Sequence, residues 1–160
     1  MKFDDAFKLL IGNEGVLSMD PKDSGNWTKG IIGKGVLKGS KYGISAASYP
    51  NLDIKNLTLQ QAKDIYLVDF WIDGAPEEIA FDLFDTSVNS GKGRAIMLLQ
   101  KTVGSIVDGK LGPQTLEAAN KLENIKLKYN ANRLLFMTDL SSWATQGRGW
   151  AKRIANNLLL

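Results

Sequence analysis

The chain of 160 residues contains neither cysteine nor histidine. The first absence excludes thiol nucleophiles, disulfides and cysteine-zinc sites. The second removes the imidazole of Ser-His-Asp hydrolysis and the usual ligand of catalytic zinc. Carboxylates, lysine, tyrosine and hydroxyls activated by one of these remain, so a hydrolase of this composition is expected to work with carboxylic acids. No apolar run approaches the roughly 20 residues of a membrane helix, and no stable membrane insertion is expected. The opening "MKFDDAFKLLIG" places two aspartates before a short periodic apolar stretch and does not read as a secretory signal. Repeats, low-complexity tracts and Pro/Ser-rich linkers are also missing, so any division of the chain is expected to be tightly packed.

What is present suits one globular domain, or one with a small appendage, since 44% hydrophobic and 23% charged residues are ordinary values. The net charge of +3 is unevenly spread. Residues 1–80 hold nine basic and eleven acidic side chains, whereas residues 81–160 hold eleven and six. A basic second half suits docking onto an anionic polymer such as a cell wall. The one basic-aromatic cluster, "GRGWAKRI", is better explained by packing of Trp150 among exposed charges, and no nucleic acid partner is expected.

Phe3, Phe7, Leu10 and Ile11 fall at i, i+4, i+7 and i+8, which predicts an amphipathic helix. Glu14 follows Phe3 by eleven residues, three turns on, and continues that stripe if the helix reaches it. Residues 18–45 are rich in Gly, Ser, Lys and Asp, and "GIIGKGVL" and "SKYGIS" predict short hairpins between irregular loops. Thr58 and Gln61 form a capping-box pattern opening a helix to about Trp71. Pro76 predicts the first turn of another, with Ile79, Ala80, Leu83, Phe84 and Val88 on one face and Gly91 and Gly93 closing it. Helices are expected from about Arg94 to Val103, from Pro113 to about Leu122, and in "NIKLKYNANRLLFMTDL" and "GWAKRIANNLLL". Asp82 and Asp85 are expected to face solvent or cap their helix.

A carboxylate on the core side of a helix end is partly desolvated, and desolvation raises its pKa toward the range of a general acid. Glu14 is placed for that role, facing an insertion that carries Asp20, Asp23, Ser40 and Tyr42. Glycosidic cleavage needs an acid for the leaving oxygen and a second group that positions water or stabilises positive charge. A buried glutamate and a solvent-facing loop aspartate differ enough in environment to divide those tasks. Trp27, Trp71 and Tyr42 are candidates to stack on a sugar, although aromatic residues fill cores as readily. Asn89 and Ser90 offer amide and hydroxyl contacts, or simply close a helix.

"NEGVLSMDPKDSGNWTKG" followed by "GSKYGISAASYPNLDIKNLT" resembles the phage and bacterial N-acetylmuramidases marked by a Glu-Gly-Gly motif. That lysozyme-like group includes endolysins and proteins described as secretion activators. "FDTSVNSGKGRAIMLLQKTVGSIVDGKLGPQT" resembles the group's second half, a predicted peptidoglycan-binding region. The resemblance implies a mainly α, lysozyme-like fold with a small β-hairpin and loop insertion after the first helix. It further implies a muramidase catalytic region over 1–90 and a wall-binding helical region over 91–160, packed closely on the first.

In the resembled group the motif glutamate is the catalytic acid, which maps onto Glu14. By analogy Asp20 or Asp23 is the second carboxylate, with Asp20 preferred from its spacing, and Ser40 helps hold the attacking water. Val16 stands where the motif has its second glycine, and Ser40 where threonine is usual. The implied reaction is hydrolysis of the β-1,4 bond between N-acetylmuramic acid and N-acetylglucosamine in peptidoglycan, with no metal or organic cofactor. The implied setting is synthesis in the bacterial cytoplasm, release through a holin, and action on the wall. The alternatives are a lytic transglycosylase and a non-catalytic wall-binding or secretion-accessory protein.

Overall fold

A computed structural model describes residues 1–12 and 15–160; Asn13 and Glu14 lie outside the described residues. Seven α-helices are found among the described residues: α1 (Phe3–Ile11), α2 (Leu59–Asp69), α3 (Ala80–Ser90), α4 (Lys92–Val103), α5 (Pro113–Lys121), α6 (Ile125–Thr138) and α7 (Trp143–Leu158). Between α1 and α2 lies one two-stranded antiparallel sheet of β1 (Ser40–Lys41) and β2 (Ile44–Ser45). The chain forms two compact units, one of Phe7–Val68 and one of Met1–Ala6 with Asp69–Leu160. The expected 1–90 region takes in all of the smaller unit together with α3.

The smaller unit is mostly loop, held by a few apolar anchors. Phe7 and Ile11 are buried with Ile44, Ala46, Ile54, Leu57, Ala62 and Tyr66. The Phe7 and Tyr66 rings meet edge to face at 5.5 Å. The capping box at α2 forms as its spacing predicts: the Gln61 amide nitrogen donates to Thr58 Oγ1, and the Thr58 nitrogen donates to Gln61 Oε1. The expectation that "GIIGKGVL" contributes hairpin strand is not met. Gly30, Gly33 and Gly35 take positive φ, which breaks the extended run, and pairing across it is confined to its base, at the Trp27–Leu37 bridge and the Thr28–Val36 hydrogen bonds.

The larger unit is a helical bundle in which α4 packs against α3, α5 and α6, and α6 packs against α7. Its core gathers Ile72, Ile79, Leu83, Ala95, Ile96, Leu98, Leu99, Ala119, Ile125 and Tyr129. Phe3, Trp71 and Phe84 form a triangle of edge-to-face contacts with centroids 5.4 to 5.8 Å apart. Pro76 precedes a 3-10 turn over Glu77–Ile79 before α3 begins. Gly91, at φ +86, ends α3 and starts α4, so Gly93 lies inside a helix rather than closing one.

Two expectations in this unit are corrected. Asp82 and Asp85 neither face solvent nor cap α3; both are buried, 0% and 1% exposed. Asp85 Oδ2 lies 2.7 Å from Nη1 of Arg133, itself 0% exposed, and accepts from Asn157 Nδ2 at 2.9 Å. Arg153 Nε stands 3.5 Å from Asp85 Oδ1, and Arg153 Nη1 donates to Asn89 Oδ1. A buried carboxylate needs such partners, because desolvation alone would neutralise it. Asp82 has fewer: Asn130 Nδ2 donates to Oδ1 at 2.9 Å, and Oδ2 has no partner among the described residues. Burial pushes the Asp82 carboxyl above the usual range, against the opposing pull of Asn130, Lys126 and Arg133.

Candidate active site

"SKYGIS" folds as a tight hairpin. Ser40 pairs with Ser45 and Lys41 with Ile44, which leaves Tyr42 and Gly43 as a two-residue turn. Both take positive φ, +51 and +74, the signs a type I′ turn requires to match strand twist. The Tyr66 hydroxyl donates to the Tyr42 carbonyl at 3.2 Å and sits so close to Gly43 that a Cβ there would collide with it. Only glycine satisfies both the backbone sign and that approach.

The loop that carries the candidate aspartates is tied to the same hairpin. Ser18 and Ser40 exchange backbone hydrogen bonds at 2.9 and 3.0 Å. The key residue is Asn26, fully buried, which sequence reasoning did not single out. Its side-chain amide donates to the Asp20 carbonyl at 3.0 Å and to Ser18 Oγ at 3.4 Å. Its backbone carbonyl accepts from Lys38 and Gly39, each at 3.0 Å. Asn26 thus fastens the Asp20 turn and the approach to β1 to one another. Nothing in "SGNW" signals this, since the role depends on contacts that only folding creates.

Asp20 and Asp23 are both exposed, and each shapes its own turn. Asp20 Oδ1 accepts from the Lys22 nitrogen at 2.9 Å. Asp23 Oδ1 accepts from the Gly25 nitrogen at 2.8 Å and caps the 3-10 turn Ser24–Asn26. Ser40 is half-buried, and its hydroxyl takes no partner among the described residues. Trp27 is half-buried and donates from Nε1 to the Pro21 carbonyl at 2.9 Å. The Tyr42 ring lies under the Lys41 ammonium at 5.3 Å, and its Cε1 is 3.1 Å from where a Cβ on Gly15 would stand. A side chain at Gly15, the residue after Glu14 in sequence, would therefore press on the tyrosine ring, which would have to shift by a few tenths of an ångström. Val16 is 84% exposed, and its φ is not positive, so the missing second glycine strains nothing.

Beside the Asp20 turn a groove of about 460 Å³ runs across the smaller unit. Leu17, Met19, Leu37 and Ile54 form its apolar part, and Lys38, Lys55, Asn51 and Asp53 its polar part. The Asp53 carboxyl is held below its usual range chiefly by the Asn56 side-chain amide at 2.8 Å.

The structure brings Asp20, Asp23, Trp27, Ser40 and Tyr42 together in the smaller unit, whereas Trp71 and Asn89 belong to the larger. Trp71 there packs against Phe3 and Phe84, and the Asn89 amide donates to the Asp85 carbonyl at 2.6 Å. The expected acid, Glu14, lies outside the described residues. No three carboxylates among the described residues gather into a metal-ligating cluster.

In the larger unit the "VDGKLGP" stretch is clamped by Gln100, which is 1% exposed. Gln100 Oε1 accepts from the nitrogens of Asp108 and Gly109 at 3.0 and 2.8 Å. Its Nε2 donates to Asp108 Oδ1 at 2.7 Å and to the Lys110 carbonyl at 2.9 Å. The Lys110 nitrogen and the Gln100 amide together hold the Asp108 carboxyl below its usual range.

A mainly helical chain with a hairpin insertion after its first helix, and exposed carboxylates beside a groove, has the architecture of a lysozyme-like hydrolase. The chain belongs to the family described as glycosyl hydrolase 108, whose model matches residues 7–91. That membership makes it a glycoside hydrolase of the peptidoglycan-cleaving, lysozyme-like class. Among solved structures it is similar to SagA of Brucella abortus, at 28% identity and a TM-score of 0.78, over 97% of this chain and 90% of that one. No curated protein matches the chain.

Proposed function

We propose that this protein is an N-acetylmuramidase that hydrolyses the β-1,4 bond between N-acetylmuramic acid and N-acetylglucosamine. The observation that carries the proposal is the family match over 7–91, the segment that contains Glu14, both aspartates and the hairpin. Glu14 protonates the glycosidic oxygen as the bond breaks. Asp20 supports the positive charge that develops on the sugar or activates the water, with Ser40 holding that water. Asp23 is the second candidate for the role; each aspartate accepts a backbone N–H in its own turn, and Asp20 is preferred by its spacing after Glu14. Tyr42, Trp27, Trp71 and Asn89 are proposed substrate contacts, and the apolar groove beside Asp20 takes part of the glycan strand or its stem peptide. No metal or organic cofactor enters this scheme. Region 91–160 is proposed to contact the wall through the Gln100-clamped loop. The proposed setting is lysis of the host cell, after release from the cytoplasm through a holin.

The test is clearing of purified peptidoglycan by the parent, Glu14→Gln and Asp20→Asn. Loss of the acid should reduce the rate by at least about a hundredfold, the low end of general acid catalysis. Clearing unaffected in Glu14→Gln would remove Glu14 from the mechanism. New reducing ends on N-acetylmuramic acid identify hydrolysis of the proposed bond, whereas anhydro-sugar ends identify a transglycosylase. A parent that sediments with the wall without clearing it is a binding protein.

A further inference from the structure

Residues 28–36 form a closed loop that projects from the smaller unit. Its base is the bridge between Trp27 and Leu37, followed by a rung in which the Thr28 nitrogen donates to the Val36 carbonyl at 3.0 Å. The Val36 nitrogen donates to Thr28 Oγ1 at 2.9 Å, and the Lys34 nitrogen donates to the Ile31 carbonyl at 3.0 Å across the tip. The loop is therefore closed by hydrogen bonds at its base and across its tip. What it presents outward is apolar: Ile31, Ile32 and Val36 are 59%, 57% and 59% exposed.

Charge specifies what can cover this tip. From Ser24 to Leu52 the chain contains no acidic residue and four lysines, Lys29, Lys34, Lys38 and Lys41. Within 28–38 there is no aromatic ring, carboxylate or side-chain amide, the groups that recognise sugar faces and hydroxyls. A second copy of the loop would meet it with like charge. An anionic bilayer satisfies both features together, because lysines settle at the negative headgroup surface while neighbouring aliphatic side chains enter the acyl boundary.

We infer that the loop over residues 28–36 is a docking element for an anionic lipid surface, with Ile31 and Ile32 inserting and Lys29 and Lys34 holding the headgroups. The contact is peripheral and reversible; no helix among the described residues is long and apolar enough to cross a membrane. It is independent of the muramidase reading, since lipid binding needs no wall and wall clearing needs no lipid.

The experiment is sedimentation of the full chain with vesicles of phosphatidylcholine, with and without a third of phosphatidylglycerol. It compares the parent with an Ile31→Ser/Ile32→Ser double variant and a Lys29→Glu/Lys34→Glu double variant. Each is also assayed on lipid-free peptidoglycan. The parent should bind only the anionic vesicles, less tightly as salt rises. Each double variant should bind about tenfold more weakly and clear lipid-free wall at the parent's rate. Failure of the parent to bind, or binding by both variants as tight as the parent's, overturns the inference. So does reduced clearing of lipid-free wall by the folded variants, which would make the loop a saccharide contact. A parent that is dimeric where the serine variant is monomeric would assign the tip to a second copy instead. Should the serine variant not fold, the charge-reversed variant decides alone.

Discussion

Single residues separate cleanly into those that shape the site and those that hold the bundle. Asp85 and Arg133 are the clearest of the second kind: two opposite charges, both withdrawn from water, 2.7 Å apart. Removing one partner leaves the other buried and uncompensated, so Asp85→Ala should destabilise the protein by roughly 3–5 kcal/mol. Denaturant unfolding measures this, and a loss below about 1 kcal/mol would mean that the pair is not buried as described. Asp82 behaves differently, because burial raises its pKa in the folded protein. Below the unfolded pKa, near 4, the carboxyl is neutral in both states and costs nothing. As pH rises toward the folded pKa the unfolded chain ionises first, so stability is lost over that window. Asp82→Asn removes the titration and keeps the acceptor for Asn130. It should therefore raise Tm near neutral pH, with the gain shrinking to nothing near pH 4 in a pH series of thermal melts.

At the scale of elements, the hairpin turn and the "VDGKLGP" loop are each set by one side chain from a helix. Tyr66 of α2 closes on Gly43, so Gly43→Ala meets both a positive φ and the tyrosine hydroxyl. The backbone sign alone costs about 1–2 kcal/mol. The steric part should be relieved in a Tyr66→Phe background, which makes the two substitutions non-additive in a double-mutant cycle. Additivity would show that the hydroxyl does not constrain the turn. Gln100 of α4 offers both of its polar atoms to the 108–110 backbone and to Asp108. Gln100→Ala should cost about 1–3 kcal/mol and raise amide hydrogen exchange across residues 105–112, with α4 itself still protected. The capping box, the proline starts and the apolar helix faces are legible in the sequence because each depends on residues three or four apart. The hairpin was legible only as a β-leaning fragment, "SKYGIS", between glycines, and its turn residues were not. Asn26, Tyr66 and Gln100 were not, since their partners lie 6 to 24 residues away and their amides and hydroxyl look the same wherever they point.

For the molecule as a whole, charge asymmetry gives the remaining expectation. The second half of the chain carries the excess of lysine and arginine, and cell walls are anionic. Clearing of wall suspensions should slow as ionic strength rises past about 0.1 M, where the screening length falls to about 10 Å. A rate independent of salt would mean that the basic half takes no part in docking. The division into a loop-rich unit and a helical unit follows from composition: glycine, serine and lysine between α1 and α2 supply too little apolar surface for helices to pack there.

The sequence by itself determined the helical class, the limits of most helices, the hairpin insertion and the exclusion of cysteine and histidine chemistry. These follow from local periodicity, capping patterns and the absence of two residue types. Only the tertiary structure decided that Asp82 and Asp85 are buried, that the "GIIGKGVL" segment is an exposed loop, and that Asn26 joins the Asp20 turn to the hairpin. Burial and pairing depend on which distant residues arrive beside a side chain. A carboxylate beside Arg133 in the core and one on a surface loop are spelled with the same letter.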